Sequence, residues 1–513
     1  MSRFFCLLVC LGVCSWTSVP GADRDSSAVA SAIAEHLSPT GLLLQEVYRN
    51  PAAQYRHYDH NLTRIELSGS YKQEEHAVID QIGQGFRYAA FHADSYIRRG
   101  NHTIWGSAGY RTGRTMHTVW NESADFELLY PYVWGDSVGG SLPSERYTFE
   151  GGYARRFGRW TWGIQADYRA EIEYRTVDPR PRNVVSDLNL STGASLAVGK
   201  QYTVGLHIEA QIYRQSSSMR FLAPLGGPKE YQMLGLGMYS VRFSTGGDQS
   251  SVYYKGGSYG IGVELFPDNG RGWFALLHYS RWRVKRILPD APYQKLPLTT
   301  LNDSRANVEF GWIRHGLLHR WGFKAHGTLA NRRGTEHIYG DASGSSNYPL
   351  LGSVQQYLNN RNRAEVVCLW GMERPNGWSL YTECNGQYAA FEARYLDPSR
   401  RMQISMAGGG ADVIVGIRKR HGILRFTLCG SYLATLTSDL LTTGLDPESA
   451  IGQALQDTYA RLRSGLLLYG VSLHWSHVWQ RNTAFYVDGT WKHGSFDDGN
   501  RVDYARIACG IAF

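Results

Sequence analysis

Long hydrophobic runs are what this sequence most lacks. Past its first residues no apolar stretch approaches the roughly 20 residues that a spanning helix needs, and mean hydropathy is −0.35. A helical membrane protein is excluded. Cysteine is scarce too, with seven in 513 residues. Cys6, Cys10 and Cys14 fall in the N-terminal leader. Cys368, Cys384, Cys429 and Cys509 make neither a disulfide scaffold nor a C-x-x-C pair, so no metal site and no cofactor is expected. No Gly-rich phosphate loop follows a strand and opens a helix. The 53 basic residues outnumber 45 acidic ones but are spread along the chain, which excludes a nucleic-acid surface. Neither an internal repeat nor a low-complexity linker interrupts it.

What the chain has instead is alternation. From Trp160 to Tyr174 the even positions are Trp160, Trp162, Ile164, Ala166, Tyr168, Ala170, Ile172 and Tyr174. The odd ones, Arg159 to Arg175, are polar, charged or Gly, with Asp167, Arg169, Glu171 and Glu173 among them. A period of two puts these sets on opposite faces of a β-strand. Aromatics gather at both ends of the apolar face, as they do where a strand crosses two lipid–water interfaces. The same pattern returns at 201–212, 320–329, 467–476 and 485–492, always with a polar second face. It predicts an all-β fold: one transmembrane antiparallel β-barrel of 14 to 18 strands, best counted as 18. Its lipid-facing parity is apolar and its inner parity charged. Arg305, Glu309, Lys324, Glu365, Glu383, Arg425, Asp488 and Lys492 join the inner set.

Turn chemistry divides the connections into two kinds. Tight turns are predicted near Gly100, Gly158, Gly199, Asp268-Asn269-Gly270, Leu318, Pro375-Asn376-Gly377, His421 and Gln480-Arg481-Asn482. Longer polar stretches at 113–144, 218–250, 287–303, 333–359 and 436–456 are read as loops. Short turns on the periplasmic side and long loops outside is the layout of an outer-membrane barrel. A three-residue hairpin at Arg374–Trp378 would put Cys368 opposite Cys384, within disulfide reach.

The ends agree with export. Arg3, an apolar core to about Val13 and small residues near Ala22 read as a signal peptide over residues 1–22; a lipoprotein reading through Leu11-Gly12-Val13-Cys14 needs a smaller residue than Val13. Residues 23–58, with a helical candidate at Ser26–Leu37, form a periplasmic or lumen-plugging segment, and 59–513 the barrel. The last residues, Arg506, Ala508, Ile511 and Phe513, resemble the signal that outer-membrane barrels present to the barrel-assembly machinery.

Further motifs carry a family resemblance. Trp120-Asn-Glu-Ser-Ala-Asp-Phe-Glu-Leu-Leu-Tyr-Pro-Tyr-Val-Trp-Gly-Asp-Ser-Val-Gly-Gly140, Glu145 to Tyr153, and Tyr168 to Asn183 with Ser186-Asp187 resemble a Bacteroides-type family of outer-membrane β-barrels of unknown function. The resemblance implies a Gram-negative cell outer membrane and no activity. Asn50-Pro51-Ala52 resembles the tripeptide in the N-terminal hatch of long-chain fatty-acid transporters, which implies a segment entering the lumen. The segment is shorter than the plug domain of energy-coupled receptors, which argues against TonB-type transport by this chain alone.

Site expectations follow from these motifs. Asp136, Gly139 and Gly140 would form a turn at the barrel mouth. Asp178-Pro179-Arg180-Pro181-Arg182-Asn183 would be a rigid, basic extracellular connection. With Arg169, Arg175 and Asp187 they would line a constriction or lock a loop to the wall. Expected partners are outer-membrane lipid and lipopolysaccharide, the assembly machinery, and a surface lipoprotein or receptor. Three functions stay open: a channel or transporter for a small solute, a non-conducting subunit of a surface nutrient- or metal-uptake complex, and a barrel-rim hydrolase. No enzyme activity is the working expectation.

Overall fold

The computed structural model describes residues 26–222, 230–243, 249–291, 294–341, 348–480 and 482–513. The expected signal peptide lies outside these. Helices α1 (Ser26–His36) and α2 (Pro39–Leu43) come first, the second capped by Ser38, whose side chain accepts from the Gly41 amide. The wall begins with β1 (Leu62–Glu74), β2 (Gly85–Arg99) and β3 (His102–Thr118). An excursion then carries helix α3 (Phe126–Leu129) and β4 (Trp134–Asp136). The wall resumes with β5 (Gly140–Phe157), β6 (Trp160–Tyr174), β7 (Arg180–Val198) and β8 (Tyr202–Arg220). A second excursion carries β9 (Glu230–Gly235) and β10 (Met238–Ser240).

Then follow β11 (Gln249–Pro267), β12 (Gly272–Ala291), β13 (Gln294–His315), β14 (His319–Tyr339) and β15 (Leu350–Glu373). Next are β16 (Trp378–Tyr395), β17 (Arg400–Lys419) and β18 (Gly422–Thr442). After helix α4 (Ala450–Leu462) the wall ends with β19 (Leu466–Gln480), β20 (Thr483–Phe496) and β21 (Arg501–Ala512).

These strands close an 18-stranded antiparallel barrel, each neighbour in chain order, with β3 pairing β5 and β8 pairing β11 across the excursions. β21 returns to β1, from Arg64 opposite Ala512 to Glu74 opposite Val502. Among the described residues no helix is long and apolar enough to cross a membrane. Parity assigns the faces as the sequence implies. Trp160 is 56% exposed and its neighbour Thr161 4%; Ile164, Ile208, Ile261, Phe310 and Leu473 share the exposed outer face.

The predicted tight turns join wall strands at one end of the barrel, Arg481 of the one at Gln480-Arg481-Asn482 lying outside the described residues. At the other end two predicted loops are corrected. Residues 287–303 and 333–359 are mostly strand: β12 and β13 run to 291 and from 294, and β14 and β15 leave only 340–349 between them. Strands of 20 to 24 residues there far exceed the 9–11 that cross a bilayer. Beyond the hydrocarbon the outer face meets water and turns polar, as at Arg281, Arg283 and Lys285, while the inner face turns apolar where it is buried, as at Trp282, Val284 and Leu301. The alternation inverts while the hydrogen-bond ladder continues. The basic connection is corrected likewise, since Arg180–Asn183 already belong to β7.

The hairpin register is as expected. Arg374 N–H donates to the Trp378 carbonyl at 2.8 Å, Gly377 has φ +85°, and Cys368 faces Cys384. Both cysteines are free thiols, exposed on the outer face.

A positive charge on the lipid-facing parity should therefore be costly. Ile208→Arg is expected to lower barrel stability by about 2–4 kcal/mol if it lies near the bilayer midplane, measured by denaturant titration in lipid. Gln211→Arg, on the inner parity of the same strand, should cost clearly less.

Candidate functional site

The interior is filled at two levels, one rich in buried charge pairs and one mainly apolar. At the long-loop end the excursions 119–139 and 230–243 fold inward, where β4, β9 and β10 form a small sheet of their own. Leu129, Tyr132, Val133, Trp134 and Leu236 of this insert bury against inner-wall residues such as Tyr213, Tyr254, Trp282, Leu301 and Tyr357. Arginines from the wall clamp its polar groups. Arg175 reaches Glu122 and, at 2.7 Å, Asp136, while its Nε donates to the Pro179 carbonyl at 2.6 Å. All three charged side chains are buried. The second Asp136 oxygen accepts from the Val138 and Gly139 amides at 2.6 and 2.8 Å, and Gly139 adopts φ +68° to present its N–H.

Arg169 holds Asp125 bidentately at 2.9 and 2.6 Å and also touches Glu171 and Asp187. Arg332 donates to the carbonyls of Glu127 and Tyr130 and pairs with Asp303. Arg286 and Arg400 bind further carbonyls of the insert, at Val133, Met233 and Leu236.

Of the expected constriction residues, Arg169, Arg175, Asp136 and Asp187 thus meet at the insert. Asp178 pairs with Arg180 and accepts from the Leu222 amide, outside this core. Arg182 is exposed and shares the outward parity of Val184, opposite to the buried Pro181, Asn183 and Val185, so it lines nothing. Strand parity, invisible while the segment is read as a loop, is the reason. Arg286, Arg332 and Arg400 were missed. Arg332 continues the parity of Lys324 past Leu329, a signal that the presumed loop at 333–359 obscured.

On the β13–β17 side the insert leaves a cavity of about 890 Å³. Phe126, Leu128, Phe391, Met402, Ile404 and Leu455 give it an apolar wall, and Arg305, Arg332, Arg361 and Arg363 a basic one. Asp303 pairs with two of these, Arg332 at 2.7 Å and Arg361 at 2.5 Å.

At the tight-turn end the closure is the chain's own N-terminal segment. Leu43, Leu44, Val47 and Tyr48 pack on inward-facing Phe266, Phe274, Ile313, Leu369 and Tyr381. Asn50 is fully buried; its Nδ2 donates to Glu264 at 2.8 Å and its Oδ1 accepts from the Ala52 amide at 2.9 Å. Gly163 and Gly193 make room for this turn, since a Cβ on either would overlap Pro51 or Asn50. Arg56 pairs with Asp268, and Tyr55 donates to the Gly100 carbonyl at 3.1 Å. His36, Tyr58, His57 and Tyr48 form a continuous ring stack with centroids 3.8, 3.8 and 4.4 Å apart.

Between the closures lies a cluster that the sequence reading, expecting no metal site, did not single out. His207, Glu209 and His278 bring one ligand atom each to within 4.8 Å of one another. His207 and Glu209 are two apart on one strand face, which the alternation showed. His278 joins them only because β12 is two strands away in the sheet. The run Gly256-Gly257-Ser258-Tyr259-Gly260 has the spacing of a nucleophile elbow, but it lies inside β11, whereas an elbow needs a strand-to-helix turn. Arg506, Ala508, Ile511 and Phe513, expected to form an assembly signal, line the closing seam, where Arg506 pairs with Glu66 and the Phe513 backbone with Thr63.

Two expectations follow. Replacing Arg175 with Met strands Glu122 and Asp136 as buried, unpaired acids, a loss of about 3–5 kcal/mol. It should show as rapid proteolysis within 119–139, and adding Glu122→Gln and Asp136→Asn should recover much of the loss. The lower closure should respond to pH. Burial, with the His36 charge second, pushes the His57 pKa down to about 3, and burial lowers His36. A released segment would titrate near the ordinary 6.5 and bind protons that the docked one cannot. Docking is thus fully favoured above pH 6.5 and weakens as pH falls through it. From pH 7.5 to 5.5, His57 alone should raise the released fraction about tenfold, measured by hydrogen exchange over residues 26–61.

Comparison with solved structures gives a siderophore receptor, PiuA, of Acinetobacter baumannii at 8% identity, covering 88% of this chain and 82% of that one, with a TM-score of 0.38. The ferric enterobactin receptor PfeA of Pseudomonas aeruginosa (9%, 87% and 80%, TM-score 0.35) and the outer membrane transporter YddB of Escherichia coli (8%, 88% and 80%, TM-score 0.36) are also similar. No curated protein matches the sequence. A family of unknown function, DUF6850, matches residues 51–513, from the proline of the buried Asn50-Pro51 turn to the final residue, and the chain belongs to it.

Proposed function

We propose that this protein is a gated passage in the outer membrane, whose N-terminal segment is the gate on the tight-turn, periplasmic side. The observation that carries the reading is how that segment is held. One buried Asn side chain, two wall glycines and a neutral His–Tyr stack seat a tethered segment that continues directly into β1. No covalent bond has to break for it to leave. The upper insert, by contrast, is locked by buried charge pairs and acts as a fixed filter.

The cavity beside the insert is where a solute would enter. An apolar wall takes an aliphatic or aromatic body. Two arginines sharing one aspartate keep a positive potential beside it, which favours a carboxylate or phosphate group. The solute class is therefore a small amphipathic anion, passed inward when the segment undocks. The apolar patch formed by Phe266, Phe274, Ile313 and Leu369 would meet water in an open lumen, so the closed state is the resting one. Outer-membrane lipid and lipopolysaccharide are the partners that the outer face implies, and the C-terminal strand is its address to the assembly machinery.

Planar-bilayer conductance tests this. Wild-type protein should be nearly silent. Gly163→Val, which fills the seat of Pro51 without altering any charge, should raise the open probability at least tenfold, as should removal of residues 26–58. A barrel that stays sealed in both variants would refute the gate.

A further inference from the structure

The His207 cluster has features that ion pairing alone does not require. His207 and His278 stack nearly parallel, with centroids 5.5 Å apart at 8°. Both side chains are buried. His278 Nε2 lies 3.1 Å from Glu209 Oε1. His207 uses Nδ1 on Glu264, which leaves Nε2 directed elsewhere. Glu264 is buried, and its other oxygen accepts from Asn50. The wall is pared back beside the cluster: a Cβ on Gly262 would overlap the His207 ring, and one on Gly260 would stand 2.6 Å from the Glu209 carboxylate. A buried carboxylate, a half-buried one and two buried imidazoles so close are neutralised most simply by a dication.

We propose that His207, Glu209 and His278 bind one divalent transition-metal ion of the zinc type within the lumen. Two imidazoles and a carboxylate are the donor set that such borderline ions prefer, with a fourth position left for water or a passing ligand. Glu264 plays the outer role that carboxylates take behind metal-bound histidines, fixing the tautomer and ring orientation of His207. The same carboxylate holds Asn50, so one side chain joins the ion site to the seat of the N-terminal segment. An ion would fix Glu264 and strengthen that seat. The proposal does not depend on conductance, since binding is read in the closed barrel.

The test uses full-length folded protein in detergent, purified without a polyhistidine tag and stripped with chelator. Zn²⁺ titration should give one ion per barrel with micromolar or tighter affinity. His278→Gln and Glu209→Gln, checked for heat-modifiable gel mobility as a sign of folding, should each weaken binding at least about tenfold. Glu264→Gln, behind the ligands, should weaken it by about 10–100-fold. Co²⁺ on the wild type provides a reading independent of any variant, through the visible bands of a four-coordinate nitrogen–oxygen site. Absence of stoichiometric Zn²⁺ binding, lack of those Co²⁺ bands, or folded variants that bind like the wild type would each overturn the proposal.

Discussion

A ring of eighteen strands encloses more space than its own inward side chains can fill. Eight strands suffice for a packed interior, whereas barrels of sixteen to eighteen leave an aqueous bore unless chain is folded into it. Everything inside this protein answers that constraint. Backbone placed in the bore must find partners for its N–H and C=O groups. A polar inner wall can provide them only if its charges are matched to what enters. Here the match is made by arginine. Arg175, Arg169, Arg332, Arg286 and Arg400 each satisfy carboxylates or carbonyls of the inward excursions. A guanidinium offers five donors in a fixed fork, so one wall side chain can serve several orphan acceptors at once.

The two closures spend different interactions. Buried ion pairs contribute little net stability, because desolvation offsets attraction, yet losing one partner is expensive. An insert held this way leaves as a block or not at all. The lower segment has fewer charged contacts, chiefly Asn50 on Glu264 and Arg56 on Asp268, and its apolar contact over Phe266 and Phe274 yields gradually. A segment held this way can be displaced in steps. Position and chemistry thus agree: the rigid closure sits where strands project outward, and the yielding one where the chain is tethered beside the barrel seam.

The wall was largely legible in the sequence because a membrane strand faces two solvents. Trp160 to Tyr174 display their faces in plain alternation, and glycine-bearing turns such as Arg374–Trp378 fix register closely enough to place Cys368 opposite Cys384. Legibility ended where that two-solvent condition ended. Beyond the bilayer the outer face of β13 to β15 meets water while the inner face is buried, so the greasy-out pattern no longer marks a strand. Their length went unread, and with it Arg332 and the outward turn of Arg182. Arg169, Arg175, Asp136 and Asp187 could be singled out by charge and motif. Their partners Glu122 and Asp125 lie in an excursion with no period to follow. The His207 site needed more again: His278 is brought to it through strand order across β8, β11 and β12, which no local pattern encodes.

Under the proposed gate, the apolar belt at the tight-turn end favours the closed state. A porin-like wall has no use for inward Phe266, Phe274, Leu276 and Ile313, since each would face water in an open bore. Their burial under Leu43, Leu44 and Val47 favours closure by about 25 cal/mol for every Å² covered. A ligand can shift that equilibrium only by its differential affinity for the two states. On that proposal, a solute in the cavity beside the insert would touch neither Asn50 nor the wall glycines, which do not line it. It must therefore bind more tightly when the segment is gone, for instance by advancing onto the inner residues that the segment covers. Acid, which the buried His57 and His36 disfavour, works on the segment directly. Release consequently demands either a ligand long enough to compete for the same apolar belt or a change at the tethered end itself.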